Sequence, residues 1–85
     1  MYLIDKLNND IKNILDNLGF NDDVQVVKSS VPTLGDYQYN GAMKLAGMNH
    51  MNPREVAEKI KNELEKIEDY TNINIAGPGF INISF

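Results

Sequence analysis

Cysteine and tryptophan are absent from this chain, and its 85 residues hold one histidine, three prolines and eight basic side chains against twelve acidic ones. Without cysteine there is no disulfide, no thiolate metal site and no cysteine nucleophile. The absence suits a reducing cytoplasm. His50 has no second His, no Cys and no convergent carboxylate pair beside it, so neither a metal centre nor a general base is expected there; it reads as a solvated loop residue. A phosphate loop with its lysine, a Gly-x-Ser-x-Gly elbow and a Ser/His/Asp constellation are missing as well. No catalytic residue is therefore expected within the chain. No apolar run approaches membrane-spanning length, and the first residues are amphipathic rather than a signal peptide. The expected setting is cytoplasmic, with no membrane partner.

Basic residues are too few for binding nucleic acid through its phosphates alone, which needs clustered Lys and Arg; the formal charge is −4. The charge is uneven. Between Lys28 and Arg54, Lys28, Lys44 and Arg54 face a single acid, Asp36. This middle stretch can face an anion, with Lys28 and Lys44 as supporting contacts.

What the chain does have is a patterned end. From Phe80 to Phe85 the side chains alternate with period two, which puts Ile81, Ile83 and Phe85 on one face and Phe80, Asn82 and Ser84 on the other. Asn72-Ile73-Asn74-Ile75 alternates in the same way, and Gly77-Pro78-Gly79 is a turn signal that folds the two runs into a hairpin. Its outer face then carries Asn72, Asn74, Asn82 and Ser84, with the ring of Phe80 at the mouth of the turn. An uncharged, amide-rich surface with one aromatic ring can stack on a planar base and hydrogen-bond its edge. The alternative is that Phe80 curls over the turn to cap the core. Asparagine is frequent here, at twelve residues, so Asn82 taken alone carries little weight.

Ahead of that hairpin, Leu3, Ile4, Leu7, Ile11, Ile14, Leu15 and Leu18 recur at helical spacing and predict an amphipathic helix stopped by Gly19, with Phe20 packing back on Leu15. Val24 to Ser29 predicts a strand whose inner side is set by Val24 and Val26 or by Val27. Val31 to Gly35 reads as a connection, with room for a short edge strand. Asp36 then caps a second helix through about Ala46, its inward side holding Tyr39, Ala42, Met43 and Ala46. Gly41 inside that helix permits close approach of another backbone or a packing contact. Gly47 to Met51 is a loop. Asn52-Pro53-Arg54-Glu55 starts a third helix, with Asn52 as N-cap, Pro53 in the first position and Met51 stapled against Val56. Its buried stripe is Val56, Ala57, Ile60, Leu64 and Ile67.

One face to bury on each helix and one on the sheet predict an α+β, two-layer sandwich: helices on one face of a small, mainly antiparallel sheet of three to four strands. Residues 1–85 form a single domain. The strand pattern runs to the last residue, as in a piece of something longer.

Three blocks carry a resemblance. Gly35-Asp36-Tyr37-Gln38 with Asn40, Ala42-Met43 and Leu45-Ala46; then Asn52-Pro53-Arg54-Glu55 with Ala57; then Ile75-Ala76-Gly77-Pro78-Gly79-Phe80-Ile81-Asn82: together these resemble the N-terminal additional domain of arginyl-tRNA synthetases, over nearly the whole chain. Leu34 stands where many members have an aromatic, and Gly47 where a Lys often follows the Leu-Ala pair. The resemblance implies a four-stranded sheet, hence a short strand near Thr33 to Gln38 that competes with a helix starting at Asp36. It further implies a domain, with the catalytic domain elsewhere in the same chain, that grips the outer corner of tRNA(Arg) and reads a D-loop nucleotide through Phe80 and Asn82; the alternation and the charge pattern add Asn72, Asn74, Ser84, Lys28 and Lys44 as supporting contacts. The parent would be an arginine–tRNA ligase of protein biosynthesis using ATP (with Mg) and arginine, none of which this domain would bind. From another class, the rival expectation is a protein-interaction module that docks a partner domain through the exposed sheet face.

Overall fold

The computed structural model describes residues 2–29 and 35–85. The expected connection at Val31 to Leu34, and the first part of the strand expected near Thr33, lie outside the described residues. Helix α1, Tyr2–Leu18, buries Leu7, Ile11, Ile14 and Leu15, while Ile4 and Leu18 pack at its margin. It ends as expected. Gly19 takes a φ of +84°, where a side chain would strain the backbone, and lets Phe20 N–H reach Leu15 O at 2.8 Å and Gly19 N–H reach Asp16 O at 3.2 Å. That pair of bonds satisfies two of the carbonyls left over at a helix end, and the Phe20 ring joins the core.

Strand β1 is short, Val27–Lys28. Upstream of it the Val26 N–H is bonded at 2.9 Å to the Asn8 side-chain oxygen of α1, so it has no donor left for a ladder. Val26 is buried and Val27 exposed, which settles the inner side in favour of Val24 and Val26.

The expected helix from Asp36 is corrected by the structure: Tyr37–Tyr39 is strand β2, and helix α2 spans Ala42–Asn49. Tyr39, Ala42 and Ala46 do all face the core, but from two elements. An aromatic-x-aromatic triplet suits a pleated strand, and β2 is held on both sides, by β1 and by the last strand. The loop expected at 47–51 is mostly helix; α2 runs through Gly47 and closes at His50, whose φ of 56° is left-handed and whose N–H bonds to Ala46 O. His is among the non-glycine types that tolerate this conformation. Helix α3, Pro53–Leu64, begins as read, with Asn52 accepting a 2.9 Å bond from Arg54 N–H. Val56, Ala57, Ile60 and Leu64 are buried and Ile67 packs at the margin.

Strands β3, Asn72–Ala76, and β4, Phe80–Ser84, make the expected hairpin. All pairings are antiparallel and the sheet order is β1-β2-β4-β3. The three helices cover one face, and α3 is the central one, touching α1, α2, β3 and β4. Phe85 sits between Tyr37 and Tyr70 with centroid separations of 5.6 and 5.3 Å, and the Tyr70 hydroxyl donates to Asp10 of α1 at 2.5 Å.

One acid is inside. Asp22 is buried; its Oδ2 accepts a 2.6 Å bond from the Tyr39 hydroxyl, and its Oδ1 is met by the Lys44 ammonium. Burial pushes the Asp22 carboxyl up, but the bonds from Lys44 and Tyr39 outweigh it and hold the group below its ordinary value. Burial, then Asp22, push the Tyr39 phenol up. Because Asp22 is more acidic folded than unfolded, its contribution is complete above the unfolded value of about 3.9 and is lost as pH falls through the folded value. Asp22→Asn should therefore melt below the parent at neutral pH, with the gap closing as pH drops below about 4. A gap that stays constant across paired melts from pH 7 to pH 2.5 would refute this role.

Candidate functional site

Register decides what shares the face turned away from the helices. Residues directly opposite in an antiparallel pair lie on the same side, so the pairs Val27–Gln38, Gln38–Asn82 and Asn74–Asn82 form one row across the sheet. Phe80–Ala76 lies on one side of that row and Ser84–Asn72 on the other. Phe80 is half-buried and is not one of the side chains packed on the core.

The turn beneath Phe80 is built by two glycines and an arginine. Gly77 has a φ of +57°, and a Cβ there would lie 3.3 Å from Phe80 Cδ2, so the ring lies against Gly77. A Cβ at Gly79 would meet the Pro53 carbonyl oxygen at 3.3 Å. From the first turn of α3, Arg54 Nη1 donates to Gly77 O at 2.9 Å. The start of α3 thus supports the turn that presents Phe80.

Asn82 departs from the exposed position expected of it: it is 0 % exposed. Its side-chain oxygen accepts from Gln38 Nε2 at 3.0 Å and its Nδ2 donates to Asn74 Oδ1 at 3.3 Å. Gly35 crosses directly above it, since a Cβ there would come within 3.2 Å of Asn82 Cβ and 3.0 Å of the Ile83 nitrogen. A side chain at that crossing would press on the β4 backbone, which would have to give by a few tenths of an ångström. What the row turns outward at this level is Gln38 and Asn74, both half-buried.

The two lysines expected in support are not brought to this face. Lys28 pairs in register with Tyr37 and Tyr37 with Ile83, which puts it on the helix side at the sheet edge; Val27, 48 % exposed, takes the outer position. Lys44 stands on α2 with its ammonium on Asp22. Asn72 and Ser84 are on the expected face, exposed and half-buried respectively. Sequence reasoning missed Gln38 and Arg54 as members of the site. Gln38 becomes visible once Tyr37-Gln38-Tyr39 is read as a strand; Arg54 signals only through its place in the basic middle stretch and in a helix start.

Among the described residues no group of three or more His, Cys, Asp or Glu could hold a metal ion, and no helix is long and apolar enough to cross a membrane. The sequence model of a family described as the arginyl tRNA synthetase N terminal domain matches residues 2–85. The chain belongs to this family. Among the relatives of this N-terminal domain is an arginine–tRNA ligase of Haemophilus ducreyi, 53 % identical over 58 residues, an overlap covering 68 % of this chain and 10 % of that protein. A ligase of the same name from Protochlamydia amoebophila is 47 % identical over 62 residues, covering 72 % and 11 %. The chain thus spans about a tenth of the length of these curated relatives.

A similar fold forms part of the arginyl-tRNA synthetases of Plasmodium falciparum (TM-score 0.84, 19 % identity, 98 % of this chain and 16 % of that one) and Thermus thermophilus (TM-score 0.82, 22 % identity, 98 % and 14 %). The three helices on an open antiparallel four-stranded sheet are therefore the architecture of this domain.

Proposed function

We propose that residues 1–85 are the tRNA-binding domain of an arginine–tRNA ligase, engaging the outer corner of tRNA(Arg) and stacking a D-loop base on Phe80. The observation that carries this reading is the position of Phe80: a large ring on the face away from the helices, outside the packed core, beside a row of side-chain amides. Asn82 serves from behind, holding the flanking Gln38 and Asn74 amides in register. The catalytic domain of the same chain would use ATP with Mg and arginine, in the cytoplasm. Binding energy realised here, far from the reacting atoms, would support turnover there by placing the acceptor end.

Half of the basic side chains are already engaged, because Lys6, Lys44, Lys61 and Lys66 each lie within 4.0 Å of a carboxylate. Little positive charge is left to release counterions from RNA. Titration of an arginine-accepting tRNA into the isotope-labelled chain, followed by NMR, should give a dissociation constant on the order of tens of micromolar or weaker, with a shallow salt dependence. The resonances that shift should include those of residues 77–82. The same sample should charge no tRNA. Nanomolar, steeply salt-sensitive binding, or shifts confined to the helical layer, would overturn the reading.

A further inference from the structure

The geometry points to Arg54 as the phosphate contact of the nucleotide whose base stacks on Phe80, so that one nucleotide is held at its base by β4 and at its backbone by the first turn of α3. This rests on the reading of Phe80 given above. The guanidinium and the ring flank the same glycine: Arg54 Nη1 donates to Gly77 O at 2.9 Å, and Phe80 Cδ2 lies 3.3 Å from where a Gly77 side chain would begin. With no side chain at Gly77, nothing from that residue stands between them.

Three other basic side chains have no carboxylate within 4.0 Å among the described residues, and none is near this turn in the fold. Lys12 lies on α1. Lys28 is on β1, separated from β4 by the whole of β2. Lys59 is five residues further along α3, and so turned well away from Arg54 at 100° per residue. Arg54 itself is exposed, and the bond to Gly77 uses one of its five N–H donors. The guanidinium makes no other hydrogen bond or ion pair among the described residues. Tethering one arm costs the fork its freedom before RNA arrives, and the other N–H groups can meet a phosphate in the two-point geometry that suits arginine. A domain of net charge −4 needs such a local cation wherever a phosphate must come close.

Salt dependence separates this role from stacking. With the 85-residue chain and an arginine-accepting tRNA transcript, Arg54→Gln should weaken binding about three- to tenfold at 0.1 M salt and lower the slope of log K against log salt by about 0.7 to 0.9, one phosphate's worth. Arg54→Lys should keep most of the slope. Phe80→Ala should weaken binding with the slope unchanged. If Arg54→Gln alters neither affinity nor slope while Phe80→Ala weakens binding, the phosphate contact is refuted and the stacking reading stands. If Arg54→Lys loses as much affinity and slope as Arg54→Gln, the side chain merely braces the turn through Gly77, and the inference is again refuted. If Phe80→Ala is silent, the stacking reading itself fails, whatever Arg54 does.

Discussion

Gly41→Ala should be among the most damaging single-methyl additions available to this domain. Its backbone is ordinary, with φ −75° and ψ −11° at the start of α2, so conformation is not the obstacle. Space is. A Cβ at Gly41 would overlap the Oη and Cζ of Tyr39 and come within 2.8 Å of Asp22 Oδ2. Tyr39 is fully buried and pinned by that same carboxylate, so the ring cannot yield without breaking the Tyr39–Asp22 bond. Overpacking costs about 1–3 kcal/mol, and a hydrogen bond to a charged group about 1.5–3 kcal/mol. The expected loss is roughly 3–5 kcal/mol, against a total of about 4–13 kcal/mol for a chain of this size. In a thermal melt that is a fall on the order of 15 °C or more. Gly47→Ala is the control: the same change in the same helix, with nothing within 4 Å of the new methyl, should gain up to about 1 kcal/mol. Equal melting temperatures for the two variants would mean that Tyr39 is not the wedge described.

Phe80→Ala should do the reverse, leaving the fold nearly intact while removing about 1–3 kcal/mol of tRNA binding, the value of one base–aromatic stack. In the parent ligase this corresponds to roughly a 5- to 150-fold loss of kcat/KM for tRNA, with the KM for arginine at saturating tRNA little changed. A core phenylalanine would behave otherwise, costing about 3–5 kcal/mol of stability on truncation. Thermal melts and tRNA kinetics on one variant therefore distinguish the two. A large fall in melting temperature without a selective tRNA defect would return Phe80 to the core. Asn82→Ala makes a poorer probe, because removing a buried amide leaves Gln38 and Asn74 short of their shared partner and confounds binding with stability.

Elements that carry their own punctuation were legible in the chain: α1 with its Gly19 stop, α3 with its Asn52-Pro53 start, and the hairpin about Gly77-Pro78-Gly79. Each is specified within a few residues. Strand β2 was harder, since three residues are too few for a period to emerge and Tyr39, Ala42 and Ala46 mimic one helical stripe while belonging to two elements. The face of Phe80 follows from parity along β4. The burial of Asn82 does not, because it depends on Gly35, more than forty residues away, crossing over it just ahead of β2. Lys44 could not be removed from the candidate site by pattern either; its partner Asp22 lies in a loop with no periodic signal.

The order β1-β2-β4-β3 places the strand that is synthesised last between two that emerge earlier. As the chain leaves the ribosome, β2 has no neighbour on that side until Phe80–Ser84 appears, and its pairing with β4 spans Gln38 to Asn82. Such a long loop closure is slow relative to local helix formation. Meanwhile the helices are complete in sequence by Leu64 and hold apolar stripes with no sheet to cover. The sheet that covers those stripes is complete only when the strand bearing the proposed tRNA contact is inserted between β2 and β3, so that the binding face and the finished core come into being in the same step.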